Sequence, residues 1–127
     1  MVSLPEKAVP VRRRWRFYTT SSGRTPVKDF VADEHLPRGD RDEILAAMKD
    51  IQVNGLDSAR HLRSDLYEVR ADGRQATYRV LFAIEGNKGQ VLLGLSSFSK
   101  KTQKTPLVQI SLAEDRLRDW RSRARRP

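Results

Sequence analysis

Three lysines stand at the end of the most apolar run of the sequence. Lys100, Lys101 and Lys104 follow directly on Gln90–Ser99, which reads "QVLLGLSSFS". Ammonium groups in such a place either keep the end of a sheet soluble or hold an anion such as a phosphate. The positions of the other cations, relative to the strands that carry them, bear on this choice.

Hydrophobic periodicity predicts those strands. Alternating or continuous apolar residues predict strands over Leu66–Ala71, Thr77–Glu85 and Gln90–Ser99. The turn sequences "DGR", with a glycine suited to positive φ, and "GNKG" join them into an antiparallel meander. A further, aromatic and β-branched strand is predicted over Trp15–Thr20.

Helical spacing predicts a pair of helices between the first strand and the meander. Pro26 begins the first helix, Asp40 caps the second with Glu43 as its capping-box partner, and Gly55 ends it. Pro106 begins a last helix. The order β-α-α-β-β-β-α indicates a small α+β domain in which a three-strand antiparallel meander packs against a helical hairpin.

Side-chain alternation then determines which residues can share a face of the meander. Arg70 lies on the same face of its strand as Glu68, and Phe98 has the same parity as Lys100 on the third strand. One concave face can therefore carry Arg70, Arg79 and the lysines, with the Phe98 ring among them. Alternation permits this arrangement without requiring it.

A face of this kind suits RNA. Guanidinium groups form paired hydrogen bonds with phosphate oxygens, lysines act as point charges, and an aromatic ring offers a stacking surface to a base. It also suits RNA cleavage without a metal ion, in which the 2′-hydroxyl attacks its own phosphate while the protein stabilises the negative charge. Arginine and lysine can stabilise that charge, whereas the residues themselves leave the proton acceptor open.

Other chemistries find little support in the sequence. There are no cysteines, which excludes disulfides and thiolate catalysis. The two histidines, His35 and His61, lack a metal-ligand companion, and His61 is the better candidate for a base because it directly precedes the meander. No glycine-rich phosphate loop, nucleophile elbow or carboxylate cluster stands at convincing spacing. We therefore predict neither a metal ion nor a cofactor.

The charge balance favours a polyanionic partner. The 127 residues carry 25 Lys and Arg against 16 Asp and Glu, for a net charge of +9. Nucleic acid, the ribosome or an acidic protein would suit such a chain. Residues 1–11 are predicted to be a flexible arm, and residues 12–127 a single domain with a basic C-terminal tail. No stretch resembles a membrane span or a secretory signal, so we expect a cytoplasmic protein.

The ordered set of motifs resembles a known toxin family. The segments "WRFY", "GRTPVKDF", "LYEVR…YRVLF" and "FSKKTQKTP" leading into "AEDRLRDW" are similar to those of the phage-derived branch of the RelE/HigB toxins. The resemblance covers roughly Arg14 to Trp120, and the strand followed by F-x-K-K-x-x-K-T-P is its most specific part. It implies a RelE-like domain and the toxin of a type II toxin–antitoxin pair, an endoribonuclease that enters the ribosomal A site and cuts mRNA without a metal ion.

The resemblance also implies roles for individual residues. Arg79 of "YRV" looks like the arginine that contacts the scissile phosphate, and Lys101 like the late basic residue that stabilises the transition state or the leaving group. Arg70 resembles a basic residue that supports the phosphate or proton transfer. The expected RNA contacts are Lys100, Lys104, Phe98 and Arg16.

Two positions depart from the best-studied RelE branch. Glu68 stands where that branch has a lysine, and Leu107 or a neighbour stands where it has a late catalytic tyrosine. The general base is therefore open, with four candidates: Glu68, His61, Tyr67 and Tyr78.

The partners implied by the resemblance are a helix-turn-helix antitoxin of the HigA type, the ribosome and mRNA. Operator DNA would be bound only through the complex with the antitoxin, and no membrane is expected. Two rival interpretations stay open. One is a non-catalytic module that occupies RNA or the ribosome without cutting, and the other is a basic face that docks an acidic segment of the antitoxin.

Overall fold

A computed structural model describes residues 12–100 and 104–124 of the chain. The strands are β1 (Arg14–Phe17), β2 (Ala59–Arg63), β3 (Leu66–Asp72), β4 (Thr77–Glu85) and β5 (Val91–Lys100), and the helices are α1 (Pro26–Ala32), α2 (Arg38–Asn54) and α3 (Leu107–Ala124). A short 3₁₀ turn, Leu56–Ser58, lies between α2 and β2. The predicted α+β class is confirmed, while the predicted arm, residues 1–11, lies outside the described residues.

The five strands form one sheet in the order β1-β5-β4-β3-β2. The antiparallel meander of β3, β4 and β5 is the predicted one. The sheet is nevertheless wider than predicted, because β1 runs parallel to β5 and β2 pairs antiparallel with β3. β2 carries the exposed Arg60, His61 and Arg63, so it lacks the apolar alternation that identifies the other strands.

Helices α1 and α2 cover one face of the sheet. As predicted, Pro26 is the first residue of α1, and Gly55 ends α2 with φ 94° and an N–H that donates to the carbonyl of Ile51. The core on this face combines apolar side chains from both helices with alternate strand positions: Val27, Val31, Ile44, Met48, Ile51, Val69, Ala71, Tyr78, Val80, Phe82 and Leu92. Burial of this helical stripe is what holds the hairpin against the sheet.

Helix α3 covers the opposite face. Ile110, Ala113 and Leu117 are buried against the sheet, as their spacing predicts. The last turn is tied down by Arg121, whose guanidinium bonds the carboxylate of Glu85 at 2.9 and 3.1 Å. Part of the predicted basic tail is thus anchored to the sheet, and residues 125–127 lie outside the described residues.

The predicted cap of the second helix is wrong. The helix begins at Arg38, after Pro37, so Asp40 lies within the first turn and the capping box with Glu43 does not form. The Asp40 carboxylate is buried instead, where it accepts hydrogen bonds from the Tyr78 hydroxyl at 2.5 Å and the Arg74 backbone N–H at 2.8 Å. A buried carboxylate needs such donors, and it joins α2 to the turn before β4.

The turn between β3 and β4 contains Gly73, which directly follows Asp72 and lies next to the Asp40 carboxylate. Gly73 is not among the glycines with positive φ, so the predicted conformational reason is wrong. A Cβ at Gly73 would lie 2.5 Å from the carboxyl carbon of Asp40. The glycine is required by the close approach of the buried carboxylate.

Candidate functional site

A pocket of about 240 Å³ opens where β2, β3 and β4 lie side by side. Its lining residues are Asp57, Ser58, Ala59, Arg60, Glu68, Arg70 and Arg79. We call it the arginine pocket, because three of its seven lining residues are arginines. Strands β2, β3 and β4 supply the charged groups, apart from Asp57 of the 3₁₀ turn.

The strand register puts the predicted cations on one face of the sheet. Arg70 is directly opposite Arg79, and Arg79 is directly opposite Phe98 on the next strand. Lys100 pairs with Thr77, two residues before Arg79 and thus on the same face. The predicted shared face of Arg70, Arg79, Phe98 and Lys100 is therefore confirmed.

Arg79 lies at the base of the arginine pocket and is only 2% exposed. Its Nη1 donates to the Oε1 atom of Glu68 at 2.9 Å and to the hydroxyl of Thr105 at 3.4 Å. Glu68 is itself only 4% exposed, and its Oε2 atom accepts a hydrogen bond from Thr105. A buried guanidinium is thus balanced by one buried carboxylate at the base of the pocket.

Arg70 lies nearer the solvent, with a side chain that is 42% exposed. Its Nε donates to Asp72, two residues along the same strand, at 3.0 Å. An exposed pair of this kind is held weakly, so Arg70 can exchange Asp72 for an anion that enters the pocket. Arg79 and Arg70 therefore combine a fixed guanidinium with an adjustable one.

The lysines and Phe98 differ in accessibility. Lys100, the last residue of β5, is half-buried, and Lys104 is exposed, whereas Lys101 lies outside the described residues. Phe98 is only 8% exposed and packs in the core beneath α3. The predicted stacking of a base on Phe98 does not fit this position, because α3 and its core neighbours already cover the ring.

Three of the four candidate bases lie on the other face of the sheet. His61 and Tyr67 are cross-strand partners with ring centroids 5.1 Å apart, and the Nε2–H of His61 donates to the carbonyl of Ser64 at 2.7 Å. Tyr78 is in the core under α1 and α2, where burial and then its hydrogen bond to Asp40 raise the pKa of Tyr78 to about 12. None of the three lines the arginine pocket, and Glu68 is the candidate base that does.

Arg16 is also remote from the pocket. It pairs with Leu93, which precedes Phe98 by about 17 Å along β5 at normal strand rise. Its guanidinium lies over the ring of Trp120, 5.0 Å from the ring centroid. The structure therefore does not bring Arg16 together with the other predicted RNA contacts.

The sequence predictions miss Asp57, Ser58, Ala59 and Arg60 of the arginine pocket, and they miss the role of Thr105. Arg60 escapes because β2 is not predicted, so its side-chain parity is not available. Thr105 enters the sequence analysis only as the threonine of the F-x-K-K-x-x-K-T-P motif, although its hydroxyl bonds Glu68 and Arg79. Glu68 in "YEV" and Arg79 in "YRV" are charged residues between apolar ones on neighbouring strands. This pattern could have suggested that the two charges are buried together and need a further polar partner.

The described residues show neither a metal site nor a membrane helix. No group of three His, Asp or Glu side chains in residues 12–100 and 104–124 could hold a metal ion. No helix in the same part of the chain is long and apolar enough to cross a membrane.

Comparison with known proteins links the pocket to one family. The family model described as "Phage derived protein Gp49-like (DUF891)" matches residues 34–118, a range that includes every residue of the arginine pocket and Thr105. Two curated proteins of Mycobacterium tuberculosis, strains CDC 1551 / Oshkosh and ATCC 25618 / H37Rv, are each described as "Probable endoribonuclease HigB1". Each is 32% identical to this chain over 111 residues, which is 84% of this chain and 84% of the relative.

Proposed function

Because the chain belongs to the phage-derived Gp49-like family of HigB-like toxins, we propose that it is the toxin of a type II toxin–antitoxin pair and an endoribonuclease that cleaves mRNA on the ribosome. The observation that carries the proposal is the arginine pocket, which is lined by three arginines and one buried carboxylate. The mycobacterial relatives, described as probable endoribonucleases, support the reaction class.

The pocket offers the charges that phosphodiester cleavage needs. Arg60 and Arg70 would bind the oxygens of the scissile phosphate, because guanidinium groups match their geometry. Arg79, fixed at the base, would stabilise the extra negative charge that develops when the 2′-hydroxyl attacks the phosphorus. Lys100, Lys104 and Lys101 would bind neighbouring phosphates or help the leaving oxygen.

Glu68 is the candidate base that lines the pocket, so we assign to it the proton of the attacking 2′-hydroxyl. Its two carboxylate oxygens accept hydrogen bonds from Arg79 and Thr105, and each oxygen keeps a second lone pair for a further donor. The attack would form a 2′,3′-cyclic phosphate and release the 5′-oxygen of the next nucleotide.

The same ion pair favours a second candidate function. Both carboxylate oxygens of Glu68 already accept hydrogen bonds, from Arg79 and Thr105, and the other candidate bases lie across the sheet. A toxin that occupies RNA or the ribosome without cutting would need the arginine pocket but no base.

The proposed partners follow from this function. An antitoxin of the helix-turn-helix type would neutralise the toxin and provide the contacts of the complex with operator DNA. The ribosome and mRNA would be the targets, and the protein would then act in the cytoplasm. The net charge of +9 suits the negatively charged ribosome and mRNA.

The test is 5′-end mapping of cellular mRNA after brief induction of the protein. The variant is Arg70→Ala rather than Arg79→Ala, because the side chains of Arg70 and of its ion-pair partner Asp72 are 42% and 68% exposed. Arg118→Ala is the matched control, since Arg118 is an exposed arginine paired with Asp115 on α3. We expect cuts in phase with the reading frame, at least about tenfold fewer in Arg70→Ala and unchanged in Arg118→Ala.

Other outcomes have distinct meanings. Growth arrest without new 5′ ends would contradict the nuclease proposal and favour a toxin that binds RNA or the ribosome without cutting. Cuts without a fixed phase relative to the reading frame would show that cleavage does not depend on the ribosome. Undiminished cutting by Arg70→Ala would show that the arginine pocket is not the active site.

A further inference from the structure

A buried threonine at the start of α3 joins the two charged side chains at the base of the arginine pocket. Thr105 is 6% exposed and comes 26 residues after Arg79 in the chain. Its hydroxyl donates to the Oε2 atom of Glu68 and accepts a hydrogen bond from the Nη1 atom of Arg79 at 3.4 Å. Three elements, β3, β4 and the start of α3, thus meet in one hydrogen-bonded triad of Glu68, Arg79 and Thr105.

The chemistry of a hydroxyl suits this place. A threonine hydroxyl has one hydrogen to donate and two lone pairs that accept, so it can serve the carboxylate and the guanidinium at the same time. Arg79 approaches Glu68 through Oε1, and Thr105 occupies Oε2. The hydroxyl therefore keeps the carboxylate from rotating, and with it the guanidinium that the carboxylate holds.

The local fold fixes where this hydroxyl lies. Pro106 restricts the backbone of the residue before it to an extended conformation, and its carbonyl accepts hydrogen bonds from the N–H groups of Gln109 and Ile110 as α3 begins. Ile110 is buried against the sheet. Because the first turn of the helix is docked in this way, Thr105 reaches the triad from a rigid support.

We propose that Thr105 is a positioning residue that holds the Arg79 guanidinium in the arginine pocket through Glu68, an assignment that rests on the function proposed above.

The experiment compares Thr105→Val, which removes the hydroxyl but keeps the shape, with Thr105→Ser, which keeps the hydroxyl. Thr25→Val is the matched control, because Thr25 also precedes a proline at a helix start and bonds only the exposed Asp29, at 3.3 Å. Two quantities are measured at a temperature at which circular dichroism shows every variant folded. One is the rate of mRNA cleavage on translating ribosomes, and the other is hydrogen exchange of the Arg79 Nη1–H group, the donor to Glu68 and Thr105, by NMR.

We expect Thr105→Val to lower the cleavage rate about tenfold, the effect of one hydrogen bond to a charged group, and to speed the exchange of the Arg79 Nη1–H by a similar factor. Thr105→Ser should restore both quantities to within about twofold of wild type, and Thr25→Val should change neither. A merely structural threonine would change the melting temperature but leave the exchange of Arg79 as it is.

The two readouts separate the failure of this inference from that of the proposed function. If the wild-type protein cuts no mRNA, the proposed nuclease function is wrong. The hydrogen exchange of Arg79 would still test whether Thr105 positions its guanidinium. Unchanged exchange and cleavage in Thr105→Val would overturn the positioning role. If Thr105→Val does not fold, Thr105→Ala is read by the same two measurements, and failure of both to fold would make Thr105 a structural residue.

Discussion

The buried pair of Glu68 and Arg79 makes a strong prediction about stability. Substitution Arg79→Ala leaves the Glu68 carboxylate at 4% exposure without its guanidinium. Removing one partner of a buried pair costs about 3–5 kcal/mol, out of a total unfolding free energy of roughly 5–15 kcal/mol for a domain of this kind. With a urea dependence of roughly 2 kcal/mol/M, the midpoint of unfolding should fall by about 2 M.

A combined substitution isolates the charge from the shape. Replacing the whole triad by apolar side chains, Glu68→Leu with Arg79→Met and Thr105→Val, leaves neither an unpaired charge nor an unpaired hydroxyl. Apolar replacement of a buried pair is often neutral, so the midpoint should stay within about 0.5 M of wild type. Urea unfolding followed by circular dichroism measures both, with Arg118→Ala as the surface control.

Either of two results would refute this reasoning. A fall of less than about 0.5 M in Arg79→Ala would mean that water reaches Glu68 in solution, and that the pair is not buried as described. A triple variant as unstable as Arg79→Ala would mean that shape, and not the unpaired charge, sets the cost. If the prediction holds, loss of toxicity in Arg79→Ala reports unfolding as much as catalysis, so it cannot by itself identify the active site.

Three further predictions concern other parts of the molecule. The hydrogen bond from Tyr78, followed by that from the Arg74 N–H, lowers the pKa of Asp40. Tyr78→Phe should therefore lower the melting temperature by roughly 5 °C near neutral pH. A depressed carboxyl pKa adds stability above the unfolded pKa of about 3.9 and loses it as pH falls through the folded pKa, so the deficit of Tyr78→Phe in thermal unfolding should shrink below about pH 4. Because burial raises the pKa of Tyr78 to about 12, an ultraviolet titration should show Tyr78 still protonated at about pH 11, and its ionisation with ordinary tyrosines would contradict the buried bond. If Arg70 binds a phosphate, Arg70→Ala should reduce the log–log salt slope of single-stranded RNA affinity by about 0.7, and an unchanged slope would place Arg70 outside the RNA contacts.

Much of the site could be predicted because Glu68, Arg70 and Arg79 lie in parts of β3 and β4 that pair without a register shift and alternate with a period of two. Alternation alone separates Arg79 from Tyr78 and places Glu68 beside Arg70, and the observed register agrees. Alternation says which face a residue takes, but it does not say what covers that face. Phe98 is buried because α3, which follows later in the chain, packs over it, and Arg79 is buried beside Glu68 and Thr105.

The residues that sequence reasoning misplaced share a physical cause. Asp40 fits the pattern of a helix cap, yet its carboxylate is used by Tyr78, a contact between positions 38 residues apart. His61 belongs to a strand recognised only by pairing, since β2 has few apolar residues of its own. Long-range partners override local propensity in both cases, and a single sequence carries no direct record of them.

The triad also draws on residues that are far apart in the order of synthesis. Arg79 and Thr105 are 26 residues apart, which takes roughly 1–5 s to translate at ordinary rates. Strand β1 cannot pair until β5 has been synthesised, because Arg14 pairs with Val91. Pairings between such distant residues form late in folding. Until α3 has emerged, a nascent chain has the arginines of the pocket without the threonine and the helix that set them in place. For most of its own synthesis the chain consequently has no finished arginine pocket.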